Sequence, residues 1–383
     1  MSTVLYRKYR PQTFATVTNQ RAIVRTLTNE LRTNRLGHAY CFSGPRGVGK
    51  TSIARLLARA ANCTNRKADE SEPCNECEQC RAMLENHSLD LIEIDAASNT
   101  GVDNVRDNII ASSRVATAGG KKKIFIIDEA HMLSLSAFNA LLKTLEEPPE
   151  HVLFVLATTE IHKLPATILS RCQRFHFERI ARADMLERLT SLVEQEGRKV
   201  DSEVLEAVTS QSEGSLRDAE TLLGQVLTLE SKGTLTMDIA SLILGSTVET
   251  EVLALGQFLG ESNTQEAMKQ LYQFEQDGGD PLRLFDAIIE LLRLALLVAA
   301  GLGESPVITD LHASRRGVIQ VLAQKKGSVG LLPMLDAYLR RRSMVNLAND
   351  PMLPLMMATV ESTTALVQPT TSLTEAFVSE VQS

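Results

Sequence analysis

Short apolar runs alternate with helical patterns over the first 180 residues of the chain. Five of these runs are continuously apolar, a pattern typical of strands in a parallel sheet with helices packed on both faces. The predicted strands are residues 39–42, 89–95, 123–128, 152–158 and 175–177. We therefore predict an α/β fold for this part of the chain.

The pattern becomes helical after residue 180. Short amphipathic helices are predicted over 181–242 and longer ones over 248–367, with a Gly-Gly-Asp-Pro break at 278–281. The last residues are polar and predict a flexible tail. The expected domains are an α/β domain at 1–180, a small helical domain at 181–244, an all-α domain at 245–367 and the tail at 368–383.

The composition narrows the class of protein. Of the 383 residues, 44% are hydrophobic and 23% are charged, and the net charge of -7 argues against a free nucleic-acid-binding protein. Residues 1–11 lack the apolar core of a signal peptide, and the longest apolar stretch, 288–302, is interrupted by Glu290 and Arg293. We expect a cytoplasmic protein without membrane contacts.

A glycine-rich motif follows the first predicted strand and precedes a predicted helix. It matches G-x-x-x-x-G-K-[ST] in full. Glycines let backbone N–H groups face phosphates, Lys50 can reach the β- and γ-phosphates, and Thr51 can offer its hydroxyl to Mg²⁺. We predict a nucleotide site, with ATP as the expected ligand, formed by Gly44, Pro45, Arg46, Gly47, Val48, Gly49, Lys50, Thr51 and Ser52.

Two acidic residues end the third predicted strand. Asp128 is placed to hold Mg²⁺ through water, and Glu129 is placed to polarise an attacking water as a general base. The alternative is that the two acids merely close a strand at the surface, but the motif upstream favours the catalytic interpretation. The intact pair predicts hydrolysis as well as binding.

Three further residues are weaker candidates on sequence alone. Thr159 follows the fourth strand, where it can orient the attacking water, sense the γ-phosphate or serve as an ordinary turn residue. Arg171 can stabilise transition-state charge, although a solvated surface arginine fits the same pattern. Arg217 lies in the first turn of a predicted helix, where a cation is unfavourable unless a phosphate or Asp218 offsets it.

Four of the six cysteines lie within one short insertion, 63–80. Their two C-x2-C steps suit tetrahedral zinc, and four thiolates leave no open position for a substrate. Iron–sulfur ligation is the alternative, but the second cysteine run or Cys-Pro that accompanies such spacing does not follow. We predict a structural zinc module held by Cys63, Cys74, Cys77 and Cys80.

The motifs occur in an order that resembles one family closely. The order is LYRKYRPQTF, GPRGVGKTS, the four cysteines, DEAHMLS, LLKTLEEPPEHVLFVLATTE, LPATILSRCQRFHF and GSLRDAE. These segments resemble the gamma/tau subunit of the bacterial DNA polymerase III clamp loader, an AAA+ ATPase, over residues 1–244. The resemblance implies a RecA-like sheet carrying the zinc module, then a helical lid and an all-α collar that assembles a five-membered complex.

The resemblance also implies roles for individual residues. Thr159 matches sensor 1, where many AAA+ proteins have Asn, and Arg217 matches sensor 2. Arg171, in the SRC motif, would act in trans on the ATP of a neighbouring subunit. The Walker A and Walker B positions are matched by Lys50, Thr51, Asp128 and Glu129.

The implied activity is ATP hydrolysis that controls a sliding clamp, within the polymerase III holoenzyme but without a polymerase active site in this chain. The implied cofactors are ATP, Mg²⁺ and Zn²⁺. The implied partners are homologous motor subunits, stator-type subunits, the sliding clamp and primed DNA, with polymerase and helicase contacts only in a longer form. A stator-like nucleotide-binding subunit and another AAA+ ATPase acting on DNA, such as a branch-migration helicase, are the alternatives.

The sequence signal for DNA contacts is the least specific of these signals. Residues 99–101 are predicted to open a helix with Arg106 one turn later, which suits a DNA phosphate. A capped surface helix fits the same residues. The lysines at 121–123 are better explained by a solvated turn than by a DNA patch.

Overall fold

The computed structural model describes residues 4–67, 69–98, 100–101, 106–229, 233–244, 248–309, 311, 313–345 and 347–364, without the side chains of 106–108 and 306. The chain forms two compact units, Met1–Ile243 and Leu244–Ser383. The finer division of the first unit at residue 180 stays a prediction. The predicted tail at 368–383 lies outside the described residues.

The first unit is built on a parallel sheet of five strands. The strands run in the order β2-β3-β4-β1-β5, and each pairs with its neighbours in parallel. The predicted α/β fold is thereby confirmed, with β3 and β4 at the predicted bounds and the others shifted at their ends. The strands are β1 Ala39–Ser43, β2 Leu91–Asp95, β3 Lys123–Asp128, β4 Val152–Thr158 and β5 Gln173–His176.

Alternation along β1 shows why both faces of the sheet are covered. Tyr40 and Phe42 are buried in a core on one face, whereas Ala39 and Cys41 are buried in a core on the other. A strand with apolar residues on both faces has no face for water.

The helices of this α/β part are α1 Leu5–Lys8, α2 Arg21–Thr33, α3 Lys50–Asn62, α4 Glu78–Leu84, a π-helix Arg106–Ala111, α5 Leu135–Glu146 and α6 Ala166–Leu169, with 3-10 turns at Phe14–Thr16, Ala130–Met132 and Ile161–Lys163.

The rest of the first unit is mainly helical. The helices are α7 Arg182–Gln195, α8 Ser202–Gln211, α9 Leu216–Leu229 and α10 Met237–Leu244. Two short strands, β6 Lys199–Val200 and β7 Thr234–Leu235, pair in parallel beside them. The expectation of helices alone was wrong here, because a two-residue strand is too short to show a period in the sequence.

The second unit is all-α. Its helices are α11 Val248–Glu261, α12 Thr264–Gln276, α13 Pro281–Ala299, α14 Pro306–Thr309, α15 Ala313–Arg342, which is broken at Gly327, and α16 Met352–Thr364. The predicted break before α13 is confirmed. Asp280 accepts hydrogen bonds from the backbone of Leu282 and Arg283, and Pro281 occupies the first turn. Phe285 and Tyr338 pack edge to face in the core.

No single helix among the described residues is long and apolar enough to cross a membrane, and one pair of consecutive helices meets that test only when taken together.

Candidate nucleotide site and cysteine cluster

The glycine-rich motif forms the loop between β1 and α3. Gly44 and Gly47 have φ angles of 143° and 76°, a region in which side chains are strained. A Cβ at Gly44 would lie 2.3 Å from the carbonyl oxygen of Phe177, and one at Gly47 would lie 2.0 Å from Ser215 Oγ. The loop therefore packs so closely that these two positions accept only glycine.

Lys50 begins α3 and is buried behind the loop. Its Nζ donates hydrogen bonds of 2.7 Å to the carbonyl oxygens of Gly44 and Pro45. Burial lowers the pKa of the Lys50 ammonium, while the charges of Glu129 and Asp128 act in the opposite direction. The loop thus keeps a desolvated cation at the place where the sequence predicts phosphates.

The two acids of the site stand at the carboxyl end of β3. Thr51 Oγ1 donates to Asp128 Oδ2 over 2.9 Å, and Thr159 Oγ1 donates to Glu129 Oε2 over 3.0 Å. Glu129 has a φ of 46°, which is uncommon for a residue with a side chain. Because β3 and β4 are parallel neighbours, their ends bring Glu129 and Thr159 together from residues far apart in the chain.

His131 also belongs to this site, and the sequence reasoning did not single it out. Its buried ring lies between two carboxylates, with Nδ1 3.4 Å from Glu129 Oε2 and Nε2 3.4 Å from Glu160 Oε1. Nδ1 is also 3.1 Å from Thr158 Oγ1. The position of His131 two residues after Glu129 was the available signal, but its other partners, Thr158 and Glu160, come from the end of β4 and are visible only in the fold.

Arg217 reaches the site from the start of α9. Its guanidinium lies 4.8 Å from the ring centre of Tyr6, and its backbone N–H donates to the carbonyl oxygen of Gly47 over 3.3 Å. Glu220, one turn later, is buried, and that burial raises its pKa to about 7 despite the opposing charge of Arg188. The helix after residue 215 therefore packs directly on the glycine-rich loop between β1 and α3.

These groups surround a cavity of about 470 Å³. Its walls include Arg46–Ile53, Asp128, Glu129 and Arg217. A further wall comes from the N-terminal segment, whose place at the cavity no motif predicts. Its lining residues are Tyr6, Arg7, Arg10, Pro11, Val17 and Thr18.

Arg171 is not among the described residues that line this cavity. It follows α6, and its guanidinium lies 2.5 Å from Glu146 Oε1 at the end of α5. It also donates to the carbonyl oxygen of Thr167 and to Ser170 Oγ. The pairing with Glu146 was not predicted, and in it the Arg171 side chain lies at the surface of its own unit.

The four cysteines of the insertion form one cluster. Their sulfur atoms all lie within 4.8 Å of one another, and zinc-bound thiolates in a tetrahedron are spaced by about 3.8 Å. Backbone N–H groups point at the sulfurs, with Cys74 N 3.4 Å from Cys63 Sγ and Cys77 N 3.2 Å from Cys74 Sγ. A soft, four-sulfur donor set whose charge is met by N–H groups fits a structural zinc ion.

The predicted phosphate contact at residues 99–106 cannot be located. Asn99 and the side chain of Arg106 lie outside the described residues. The contact therefore stays a prediction.

Several known proteins are similar to this chain in sequence. Residues 19–181 match the family model described as DNA polymerase III, delta subunit. The DNA polymerase III subunit tau of Bacillus subtilis is 40% identical over 357 residues, which are 93% of this chain and 62% of that relative. The DNA polymerase III subunit gamma of Buchnera aphidicola subsp. Schizaphis graminum is 38% identical over 290 residues, which are 76% of this chain and 78% of that relative.

Among solved structures, the Bacillus subtilis DNA clamp loader delta protein aligns with 88% of this chain and 99% of its own, at 12% identity and a TM-score of 0.42. That score adds nothing to the assignment. The chain spans less than two thirds of the Bacillus subtilis relative but more than two thirds of the Buchnera relative. The identity shared with these relatives over most of the sequence shows that the chain belongs to the gamma/tau subunit family of DNA polymerase III.

Proposed function

We propose that the chain is an ATP-hydrolysing motor subunit of a clamp loader. The observation that carries the proposal is the convergence of Lys50, Thr51, Asp128 and Glu129 on one open cavity at the carboxyl end of the sheet. A subunit that only held nucleotide would have no need of the acid that polarises water. The intact acid pair therefore favours a motor over a stator-like subunit.

Binding rests on the phosphate loop and Lys50. The ammonium group is desolvated and held by two neutral carbonyls, so an anionic phosphate is a stronger partner than those it has. Mg²⁺ bound at Thr51 and Asp128 would neutralise part of the phosphate charge. This proposal is supported by the hydrogen bond between the two side chains, which holds their oxygen atoms 2.9 Å apart.

Hydrolysis rests on Glu129 as the base that accepts a proton from the attacking water. Thr159 and His131 contact the same carboxylate oxygen and so fix its direction. Glu160 holds the far nitrogen of His131. In this scheme Thr159, His131 and Glu160 position the base and do not touch the reacting atoms.

Arg171 is proposed to act on the nucleotide of a neighbouring subunit. Its place outside the cavity of its own chain supports this role, since a guanidinium at the surface can reach a second copy. Leaving Glu146 costs little, because an exposed pair contributes about 0–1 kcal/mol. The developing charge of a transferred phosphoryl group is a stronger partner than that glutamate.

The cysteine cluster is proposed to hold one structural zinc ion, and the partners are proposed from the family. These partners are homologous motor subunits, stator-type subunits, a sliding clamp and primed DNA. A clamp loader is expected to open the clamp when it binds ATP and to release it on primed DNA when ATP is hydrolysed.

An ATPase assay with and without primed DNA, clamp and stator-type subunits tests the proposal. Stimulation only by the full set is the expected result, and a turnover that clamp and primed DNA do not change would point to another AAA+ ATPase.

Arg171→Ala in every motor copy should preserve ATP binding and reduce stimulated turnover by about 10³-fold or more. Arg182→Ala is the matched control, because Arg182 also forms an exposed ion pair with a glutamate.

A further inference from the structure

The N-terminal segment, residues 4–18, lies between the nucleotide cavity and the cysteine module, residues 63–80. Several of its side chains line the cavity, including Tyr6, Arg10 and Val17. The segment is short of regular structure, with one turn of α-helix in α1 and one 3-10 turn at Phe14–Thr16. Its conformation therefore depends on what holds it from outside.

The cysteine module holds this segment through two side chains that flank Cys74. The carboxylate of Glu72 accepts two backbone hydrogen bonds, from Phe14 over 2.7 Å and from Ala15 over 2.9 Å. Asn75 Nδ2 donates to the carbonyl oxygen of Gln12 over 3.0 Å. A carboxylate that accepts two N–H groups at the start of a helical turn is a strong and directional anchor.

A buried arginine holds the same stretch from the other side. Arg59 is only 5% exposed and comes from α3, the helix that begins at Lys50. Its guanidinium donates to the side chain of Gln12 and to the carbonyl oxygens of Pro11 and Gln12. The stretch is therefore fixed between the helix of the phosphate loop and the cysteine module.

The module itself has little apolar material to order it. Among its described residues, the buried apolar cluster consists of Cys63, Cys77 and Cys80, with Cys74 packed against them. A loop of this kind keeps its shape through the crosslink made by a metal. The positions of Glu72 and Asn75 thus depend on the same four sulfurs that would bind zinc.

We propose that the cysteine module positions the N-terminal wall of the nucleotide cavity through Glu72 and Asn75, so that metal binding and nucleotide binding strengthen each other. The inference rests on the proposed nucleotide site and adds a task for the module beyond local stability. Coupling of this kind is reciprocal. If zinc binding raises the affinity for nucleotide, nucleotide binding raises the affinity for zinc by the same factor.

The test uses the full chain, a fluorescent ADP analogue and the variant Glu72→Gln. Glutamine keeps the shape of the side chain and one accepting oxygen, but its NH2 group cannot accept the second N–H. We expect the Kd for the analogue to rise about five- to tenfold, and backbone amide exchange at Phe14 and Ala15 to become faster. Glu76→Gln is the matched control, since it removes the same charge from an exposed site in the same module.

A second arm measures the coupling itself. Zinc affinity is determined by competition with a chelator, with and without ADP, for the unchanged chain and for Glu72→Gln. We expect ADP to tighten zinc binding in the unchanged chain and to have a clearly smaller effect in the variant. A role of Glu72 in local stability alone would weaken zinc binding equally with and without ADP.

Two outcomes would decide against the inference. Equal Kd values for Glu72→Gln and Glu76→Gln would overturn it, and so would a zinc affinity that ADP does not change. Failure of the unchanged chain to bind the analogue would instead overturn the proposed nucleotide site. Because the unchanged chain is measured in the same titration, the two failures are distinguishable.

Discussion

The nucleotide cavity and the cysteine cluster lie in the same unit but are built in opposite ways. The cavity is open, is shaped by backbone at Gly44 and Gly47, and gathers charged groups of both signs. The cluster is closed and directs four thiols at one point. A site that carries out chemistry needs an open position, whereas a crosslink works best without one. We therefore expect substitutions in the cavity to change turnover or nucleotide affinity, and substitutions in the cluster to change the folding of the insertion.

The largest effect is expected at the closed site. Cys77→Ser removes one of four ligands, so metal content should fall from about one zinc per chain to almost none, and the insertion should become protease-sensitive. Cys172→Ser is the control, because Cys172 lies outside the cluster. Metal analysis and limited proteolysis measure the result. Full zinc content in Cys77→Ser, or an iron chromophore in the unchanged chain, would contradict the assignment.

At the open site the largest effect is expected on the rate. Glu129→Gln removes the base and keeps the shape, so turnover in the assembled complex should fall by about 10²–10⁴-fold while ATP affinity stays within a few-fold. Single-turnover hydrolysis and a binding titration separate the two quantities. Glu147→Gln, at an exposed acid, should have neither effect. Normal turnover in Glu129→Gln would assign the base elsewhere.

A loss of about the same size, in affinity instead of rate, is expected when the buried cation is removed. Lys50→Ala should raise the Kd for ATP by about a thousandfold, since two charge-assisted contacts to phosphate are lost. The zinc content should remain about one ion per chain, because Lys50 contributes no ligand to the cysteine cluster. Lys143→Ala, on the exposed face of α5, serves as the control. An unchanged Kd in Lys50→Ala would refute the phosphate site.

The smallest effect concerns the buried acid beneath the open cavity. Burial raises the pKa of Glu220 from 4.5 to about 7, so between these values the folded chain holds a proton that the unfolded chain has lost. Its contribution to the free energy of unfolding is complete below pH 4.5 and declines as pH rises through 7, by about 1–3 kcal/mol. Denaturant unfolding at several pH values measures the decline.

Glu220→Gln should flatten that pH dependence, because glutamine does not titrate. Glu213→Gln, at an exposed glutamate before α9, should leave it unchanged. An equal slope in Glu220→Gln and the unchanged chain would show that another group sets the pH dependence.

The sequence predicted the features that depend on neighbours along the chain. The strands Lys123–Asp128 and Val152–Thr158 were marked by continuous apolar runs, and the loop around Lys50 by its glycines. The break before Pro281 was marked by turn residues and a helix-starting proline. The strands β6 and β7 were missed because two residues carry no periodic signal.

By itself, then, the sequence determined the parallel sheet, the phosphate loop, the acid pair and the four-cysteine set, because each is a local pattern with a fixed chemistry. Only the tertiary structure decided which distant residues meet. Glu72 reaches Phe14, His131 reaches Glu160, and Arg171 reaches Glu146 across 58, 29 and 25 positions. Such contacts depend on how strands and helices pack, and no spacing rule along the chain encodes them.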